Sequence, residues 1–257
     1  MSSQSLSQPV ALITGGAKGI GLATARLFAD RGYRVAVLDA DERALQAAVP
    51  KGADEAWMPL PTDVSSASAV DGAVAAVAHA WGRIDVVVNN AGVAYAAGLH
   101  EHSDADWDRV FAVNVKSAFL VCRSTLELLK ASRGTIVNVS SMTALVGQPR
   151  GVAYTASKGA LIAMTKALAL ELAPSGIRVN CVCPAGVDTP LMQQWAQSQS
   201  DPQAVLHTQA QMHILGRMAT PEEIGNAIVF LATPAGSFIT GVILPVEGGA
   251  TLGYRRV

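Results

Sequence analysis

Charge is scarce in this chain of 257 residues: 15% are Asp, Glu, Lys or Arg, and they nearly cancel to a formal net charge of −1. Without a basic surplus there is no general attraction to nucleic acid or an anionic membrane, and neither is expected as a partner. Cysteine is also sparse. Cys122, Cys181 and Cys183 are odd in number and cannot all pair, so free thiols in a reducing compartment are expected. Cys181-x-Cys183 has no further ligands at a metal-binding spacing, so it reads as strand packing, with no metal. Long uninterrupted apolar runs are missing too. VALIT, after the polar MSSQSLSQ, is too short for a signal peptide or a membrane span, and the alanine-rich run at 160–173 is cut by Lys166 and Glu171. The expectation is a soluble, cytoplasmic chain. No linker-like or low-complexity segment breaks it.

Apolar residues are abundant: 50% of the chain is hydrophobic, enough for a large core with surface left over for a subunit interface. They fall in short β-type runs alternating with longer helical ones. Strands are expected at 10–14, 33–39, 56–60, 84–90, 134–141, 177–183 and 241–246. Helices are expected from Gly19 to Arg31, over DERALQAAV, over 66–81, as one long helix over 104–131, from about Tyr154 onward, and over 221–232. Strand–helix alternation with near-continuously apolar strands predicts a single doubly wound α/β domain with a mostly or wholly parallel seven-stranded sheet and helices on both faces. Pro59 and Pro61 in or just after the third strand suit a sheet edge, because proline cannot donate to the ladder.

The first strand runs into LITGGAKGIGLATARLF, with the spacing Gly15-x-x-x-Gly19-x-Gly21 and Gly16 inserted. Glycines there permit a tight turn, and bare backbone lets a phosphate approach the helix N-terminus. The second strand ends in Asp39, eighteen residues after Gly21, where a carboxylate accepts from adenosine ribose hydroxyls. The plainer role for Asp39 is an N-cap or turn ahead of DERAL, and the two are compatible. A 2′-phosphate beside Asp39 would meet a like charge, costing up to about 4 kcal/mol at ~4 Å and an effective dielectric of ~20. Lys18, in the glycine turn, pulls the other way. The balance predicts NAD over NADP.

At the far end stand NNAG (89–92), NVSS ending the fifth strand, and AYTASKGALIAM (153–164), where Lys158 lies in an otherwise apolar helix. A buried ammonium needs compensation. Tyr154, one turn earlier, suggests it: a cation and hydrogen bonds lower a phenol pKa, so the Tyr can exchange a proton with an alcohol or carbonyl oxygen. A neighbouring Ser hydroxyl can bind the same oxygen. The plainer alternative is a Lys that snorkels to solvent beside a Tyr that only packs.

TGGAKGIG, NNAG, a Ser–Tyr pair thirteen apart and Tyr-x-x-x-Lys together resemble the short-chain dehydrogenase/reductases. So do TDV at 62–64, RVNCVCPAG at 178–186, GRMATPEEIGNAIVFLAT at 216–233 and FITGVILPVEGG at 238–249. The resemblance implies one NAD(P)-binding Rossmann-type domain over 1–257 with a substrate lid at about 188–216. It implies Tyr154 as acid–base, Lys158 on the nicotinamide ribose, and Ser141, chosen over Ser140 by spacing, on the substrate oxygen. Asn114 would hold a relay water; its plainer role is a polar helix-surface residue. Gly15, Lys18, Gly19, Ile20 and Gly21 would form the phosphate turn, with Asp39 on the ribose. Asp63 and Val64 would flank the adenine, and Asn90, Ala91 and Gly92 the adenosine side. Pro184, Gly186, Val187 and Thr189 would meet the nicotinamide. The apolar helix after Lys158 would pack on a second subunit, giving a homotetramer. The chain departs from the family's usual pattern at Pro184-Ala-Gly and Glu247-Gly-Gly.

For the substrate, Leu191, Met192 and Trp195 make an apolar stripe in the lid, and Met142, Val146, Gln148 and Val187 are further pocket candidates. Only Arg150 is a candidate to reach an anion, and His207 and His213 are expected to be solvated. An uncharged, fairly apolar secondary alcohol or ketone is expected. The alternatives are an NADP-dependent carbonyl reductase, an epimerase or dehydratase, and a non-catalytic dinucleotide-binding regulator. The epimerase type carries a longer C-terminal substrate region, and the regulator would lack Tyr or Lys. The basic Tyr254-Arg-Arg-Val is read as reaching either a neighbouring subunit or a pocket.

Overall fold

Seven strands form one wholly parallel sheet: β1 (Val10–Thr14), β2 (Arg34–Asp39), β3 (Trp57–Pro61), β4 (Val86–Asn89), β5 (Thr135–Val139), β6 (Arg178–Pro184) and β7 (Ile243–Val246), in the order β3-β2-β1-β4-β5-β6-β7. The computed structural model describes residues 8–50, 52 and 55–252, and Tyr254-Arg-Arg-Val lies outside them. The strands are apolar on both sides because both faces are covered. Val10, Leu12, Leu38, Val87, Ile136 and Val179 face one core, while Ala11, Ile13, Val35, Val37, Val88 and Val182 face the other. β3, with its two prolines, is at one edge as expected, and Pro245 marks β7 as the other.

Helices α1 (Gly19–Ala29), α2 (Glu42–Ala48) and α10 (Pro221–Ala232) contribute Phe28, Leu45, Ile224 and Ile228 to the second core. Helices α3 (Ala67–Trp81), α5 (Ser117–Ser132) and α7 (Val152–Leu172) contribute Val70, Leu129 and Leu172 to the first. Strand order reverses between β1 and β4, so the loops at their carboxyl ends open a crevice.

One expectation needs correction. The helix expected over 104–131 is broken: α4 (Asp104–Phe111) meets α5 through a π-helical turn at Ala112–Lys116, where Ser117 N–H reaches back to the Ala112 carbonyl. A π turn accommodates one extra residue, and here it puts Asn114 inside. Helix α7 is covered on one side only within this chain. Ala153, Ser157, Lys158, Leu161 and Thr165 are buried, but Ala156, Ala163 and Ala167 face outward and Leu170 is 81% exposed. The region read as a lid holds α8 (Pro190–Gln197) and α9 (Pro202–Gln211), capped by Thr189 and Asp201; a short α6 (Thr143–Val146) follows β5.

Candidate active site

The carboxyl ends of six strands, β1 to β6, carry the expected residues. After β1, Gly15 adopts φ +60°, and a side chain on it would come 2.8 Å from Ala91 Cα. A Cβ on Gly21 would strike the Gly15 carbonyl oxygen and lie 2.6 Å from Asn90 Nδ2. Only glycine fits either place. Asn90 locks this turn: its side-chain amide donates to the Thr14 and Gly15 carbonyls at 3.0 and 2.9 Å, while Asn90 N–H and Ala91 N–H both donate to Thr14 Oγ1. The N-terminus of α1 has no side-chain cap, which leaves its amides for an anion. Thr189 lies across the crevice, its Cγ2 3.2 Å from where a Gly19 Cβ would stand.

Asp39 is not the cap of α2. Its Oδ2 accepts from Ala17 N–H at 3.1 Å and its Oδ1 from Asp41 N–H at 3.0 Å, so it braces the glycine turn against the end of β2. The cap is Asp41, whose Oδ1 accepts from Ala44 N–H, and whose Oδ2 lies 2.6 Å from Lys18 Nζ. The exposed Asp63 accepts from Ser65 N–H and Oγ, which hold its carboxyl below the ordinary value. Val64 beside it is buried in the first core.

Ser141, Tyr154 and Lys158 converge where β5 gives way to α7. Ser141 Oγ accepts from both Thr143 N–H (3.2 Å) and Thr143 Oγ1 (3.1 Å), so its own proton is free to donate outward. It stands near enough to the Tyr154 phenol to favour that group's charged form. Lys158 is 4% exposed, and its ammonium donates to the Val139 carbonyl at 2.9 Å and sits 5.8 Å from the Tyr154 ring centroid. It does not snorkel. Ser140, by contrast, donates to the Lys158 carbonyl and faces away from the reaction.

The protonation balance differs from the expected one. Burial pushes the Tyr154 phenol above its ordinary value, and the Ser141 hydroxyl offsets this only in part. The Lys158 ammonium, 5.8 Å from the ring centroid, donates to the Val139 carbonyl and not to the phenol. Burial also brings Lys158 down to about 8.

Asn114 is buried, and both of its amide protons are engaged. Its Oδ1 accepts from Val93 N–H, and its Nδ2 donates to the Val93 carbonyl and to Ser157 Oγ. A surface role is thereby excluded, and its side chain has no proton left for a water. Gly92 stands against this group: a Cβ on it would lie 3.2 Å from Lys158 Nζ and 3.4 Å from Asn114 Oδ1.

Pro184, Gly186 and Val187 are buried beside the Ser141 segment, with Met142 N–H donating to the Pro184 carbonyl at 2.7 Å. His213 departs from expectation. It is 2% exposed, its Nε2 accepts from Gly186 N–H at 3.2 Å, and its Nδ1 pairs with the Gln209 carbonyl. His207 is exposed. Arg150 does not reach inward: at φ +56° it pairs with Glu101 at 2.6 Å, tying the loop before α7 to the loop after β4. Asp41, Thr143 and Glu101 were not singled out in the sequence; only Asp41 had a signal, as a capping type immediately before ERAL. Among the described residues no cluster of three or more His, Cys, Asp or Glu is placed to hold a metal, and no helix is long and apolar enough to cross a membrane.

Comparison with known proteins agrees with this geometry. A family model described as enoyl-(acyl carrier protein) reductase matches residues 15–251. L-fucose dehydrogenase of Mus musculus is 40% identical over 251 residues, 97% of this chain and 91% of that protein. Cyclopentanol dehydrogenase of Comamonas sp. (strain NCIMB 9872) is 39% identical, covering 96% of this chain and 98% of that one. A solved 3-ketoacyl-(acyl-carrier-protein) reductase from Brucella melitensis, complexed with NADH, superposes with a TM-score of 0.87 at 33% identity, over 96% of this chain and all of that one. The chain belongs to the short-chain dehydrogenase/reductase family. It is an oxidoreductase of that family acting on a CH–OH group.

Proposed function

We propose that the protein is an NAD-dependent dehydrogenase of an uncharged secondary alcohol, with Tyr154, Lys158 and Ser141 as its reacting group. The observation that carries this reading is Ser141: both acceptor sites of its hydroxyl are occupied by Thr143, so it can only donate toward an oxygen beside Tyr154. A dinucleotide fits the crevice. The glycine cradle has no room for side chains, the first helix has no side-chain cap, and Asp39 stands at the ribose distance along the chain. When bound, the nicotinamide supplies the redox step.

The chain's own residues supply the rest. The Ser141 hydroxyl donates to the substrate oxygen and holds it against Tyr154. Tyr154 takes the alcohol proton at its phenolic oxygen, or returns it in the reverse direction. The Lys158 ammonium, mostly charged at neutral pH with a pKa of about 8, would hold the nicotinamide ribose and, 5.8 Å from the Tyr154 ring centroid, would favour negative charge on that phenol. Asn114 keeps the Val93 backbone and Ser157 in place.

NAD is favoured over NADP because Asp39 and Asp41 both stand at the end of β2. An uncharged substrate is favoured because Arg150 is already neutralised by Glu101. Met142 and Val187 are apolar, and the two curated relatives are named for ring compounds without charge. We further propose a homotetramer, since the outward face of α7 carries alanines and the exposed Leu170, and Phe119 on α5 is 51% exposed.

The test is NAD⁺ reduction with cyclopentanol, L-fucose and open-chain secondary alcohols, on wild type and on Tyr154→Phe. The variant should lose roughly 10³-fold in turnover and keep NADH binding. Retained turnover would remove Tyr154 from the acid–base role.

A further inference from the structure

The carboxylate–lysine pair beside the glycine turn has no part in proton transfer, yet its geometry bears on which nucleotide the crevice accepts. Lys18 stands at the N-cap position of α1 without bonding that helix, and its ammonium lies 2.6 Å from Asp41 Oδ2. Asp41 uses its other oxygen to cap α2 through Ala44 N–H at 3.0 Å, and its backbone N–H donates to Asp39 Oδ1 at 3.0 Å. Asp39 in turn accepts from Ala17 N–H, one residue before Lys18. Three charged side chains are therefore linked in series, and the only cation among them is held by the outer carboxylate. The contact holds the Lys18 ammonium above its ordinary pKa and the Asp41 carboxyl below its own, so both stay charged at neutral pH.

We propose that Asp41 is a specificity-determining residue that keeps Lys18 from the ribose 2′ position and so masks a latent 2′-phosphate site. The inference rests on the NAD reading above and adds a second determinant to Asp39. With Asp41 present, the three side chains sum to one negative charge, and a 2′-phosphate brings about −1.5 to −2 more. Removing the Asp41 charge does two things: it takes away one repulsion, and it releases an ammonium in the glycine turn. An exposed pair of this kind is individually weak, so its release is a modest and measurable effect.

Asp41→Asn is the suitable probe, because Asn caps a helix as well as Asp does while no longer holding the lysine. The test measures binding of ADP-ribose and of its 2′-phosphorylated counterpart by calorimetry. These fragments lack nicotinamide, so the readout is independent of turnover. Lys18→Met completes a double-mutant cycle. Wild type should prefer ADP-ribose. Asp41→Asn should tighten the 2′-phosphorylated fragment about tenfold and leave ADP-ribose within about twofold. Lys18→Met should weaken the phosphorylated fragment about tenfold when combined with Asp41→Asn, and less than about twofold when made alone.

Equal effects of Lys18→Met in both backgrounds would overturn the masking of Lys18 and leave the NAD reading standing. A wild type that already prefers the phosphorylated fragment would overturn both. Loss of ADP-ribose binding by Asp41→Asn would also overturn the proposal, since Asp41 would then be serving the nucleotide itself.

Discussion

Replacing Lys158 by Met should change how stability depends on pH, with a sign and size that follow from burial. Lys158 is 4% exposed, and burial takes its pKa from 10.5 to about 8. The folded pKa is below the unfolded one, so between about pH 8 and 10.5 the unfolded chain holds more protons than the native state. Stability therefore rises with pH across that window, and the cost of the buried charge is fully present below it. From pH 7 to pH 9 the wild type should gain about 1.3 kcal/mol relative to Lys158→Met, and by pH 10 about 2.5 kcal/mol. The variant also loses the hydrogen bond to the Val139 carbonyl, but that loss is a constant offset and cancels in the pH difference. Urea unfolding of both proteins at pH 7, 8, 9 and 10 measures the quantity directly. A stability difference that stays flat to within about 0.3 kcal/mol over this range would refute a charged, desolvated Lys158.

Gly21→Ala should destabilise the fold by about 3 kcal/mol and weaken NADH binding more than tenfold, because its Cβ collides with the Gly15 carbonyl and Asn90; fluorescence titration with NADH reads the second effect. Asn114→Ala leaves both backbone groups of Val93 without their partner and should cost about 2–3 kcal/mol in urea unfolding. Leu170→Glu, on the bare face of α7, should shift the protein to smaller species in sedimentation velocity without unfolding it; an unchanged distribution would count against this face as an interface.

Much of this was legible from residue order because the signals are local. Glycine spacing, Asp39 at a strand end, the edge prolines of β3 and the Ser141–Tyr154–Lys158 spacing depend on backbone geometry within a few residues. Parallel strands buried on both faces leave a nearly continuous apolar pattern, so the alternation and the edge position of β3 could be read directly. The long-helix expectation failed because a π turn keeps helical periodicity on either side and only shifts its phase. Periodicity likewise cannot say what covers α7, whose outward face is bare within this chain.

What the sequence alone determined was the alternation of strands and helices and the chemical types that follow each strand. Only the tertiary structure decided their partners. It turned Arg150 to Glu101 and away from a substrate, and it tied His213 to the Gly186 loop. It set Gly92 against Lys158, gave the cap of α2 to Asp41, and raised the Tyr154 phenol instead of lowering it. These outcomes depend on contacts between segments far apart in the chain and on how much water each group loses. Neither is encoded in local spacing.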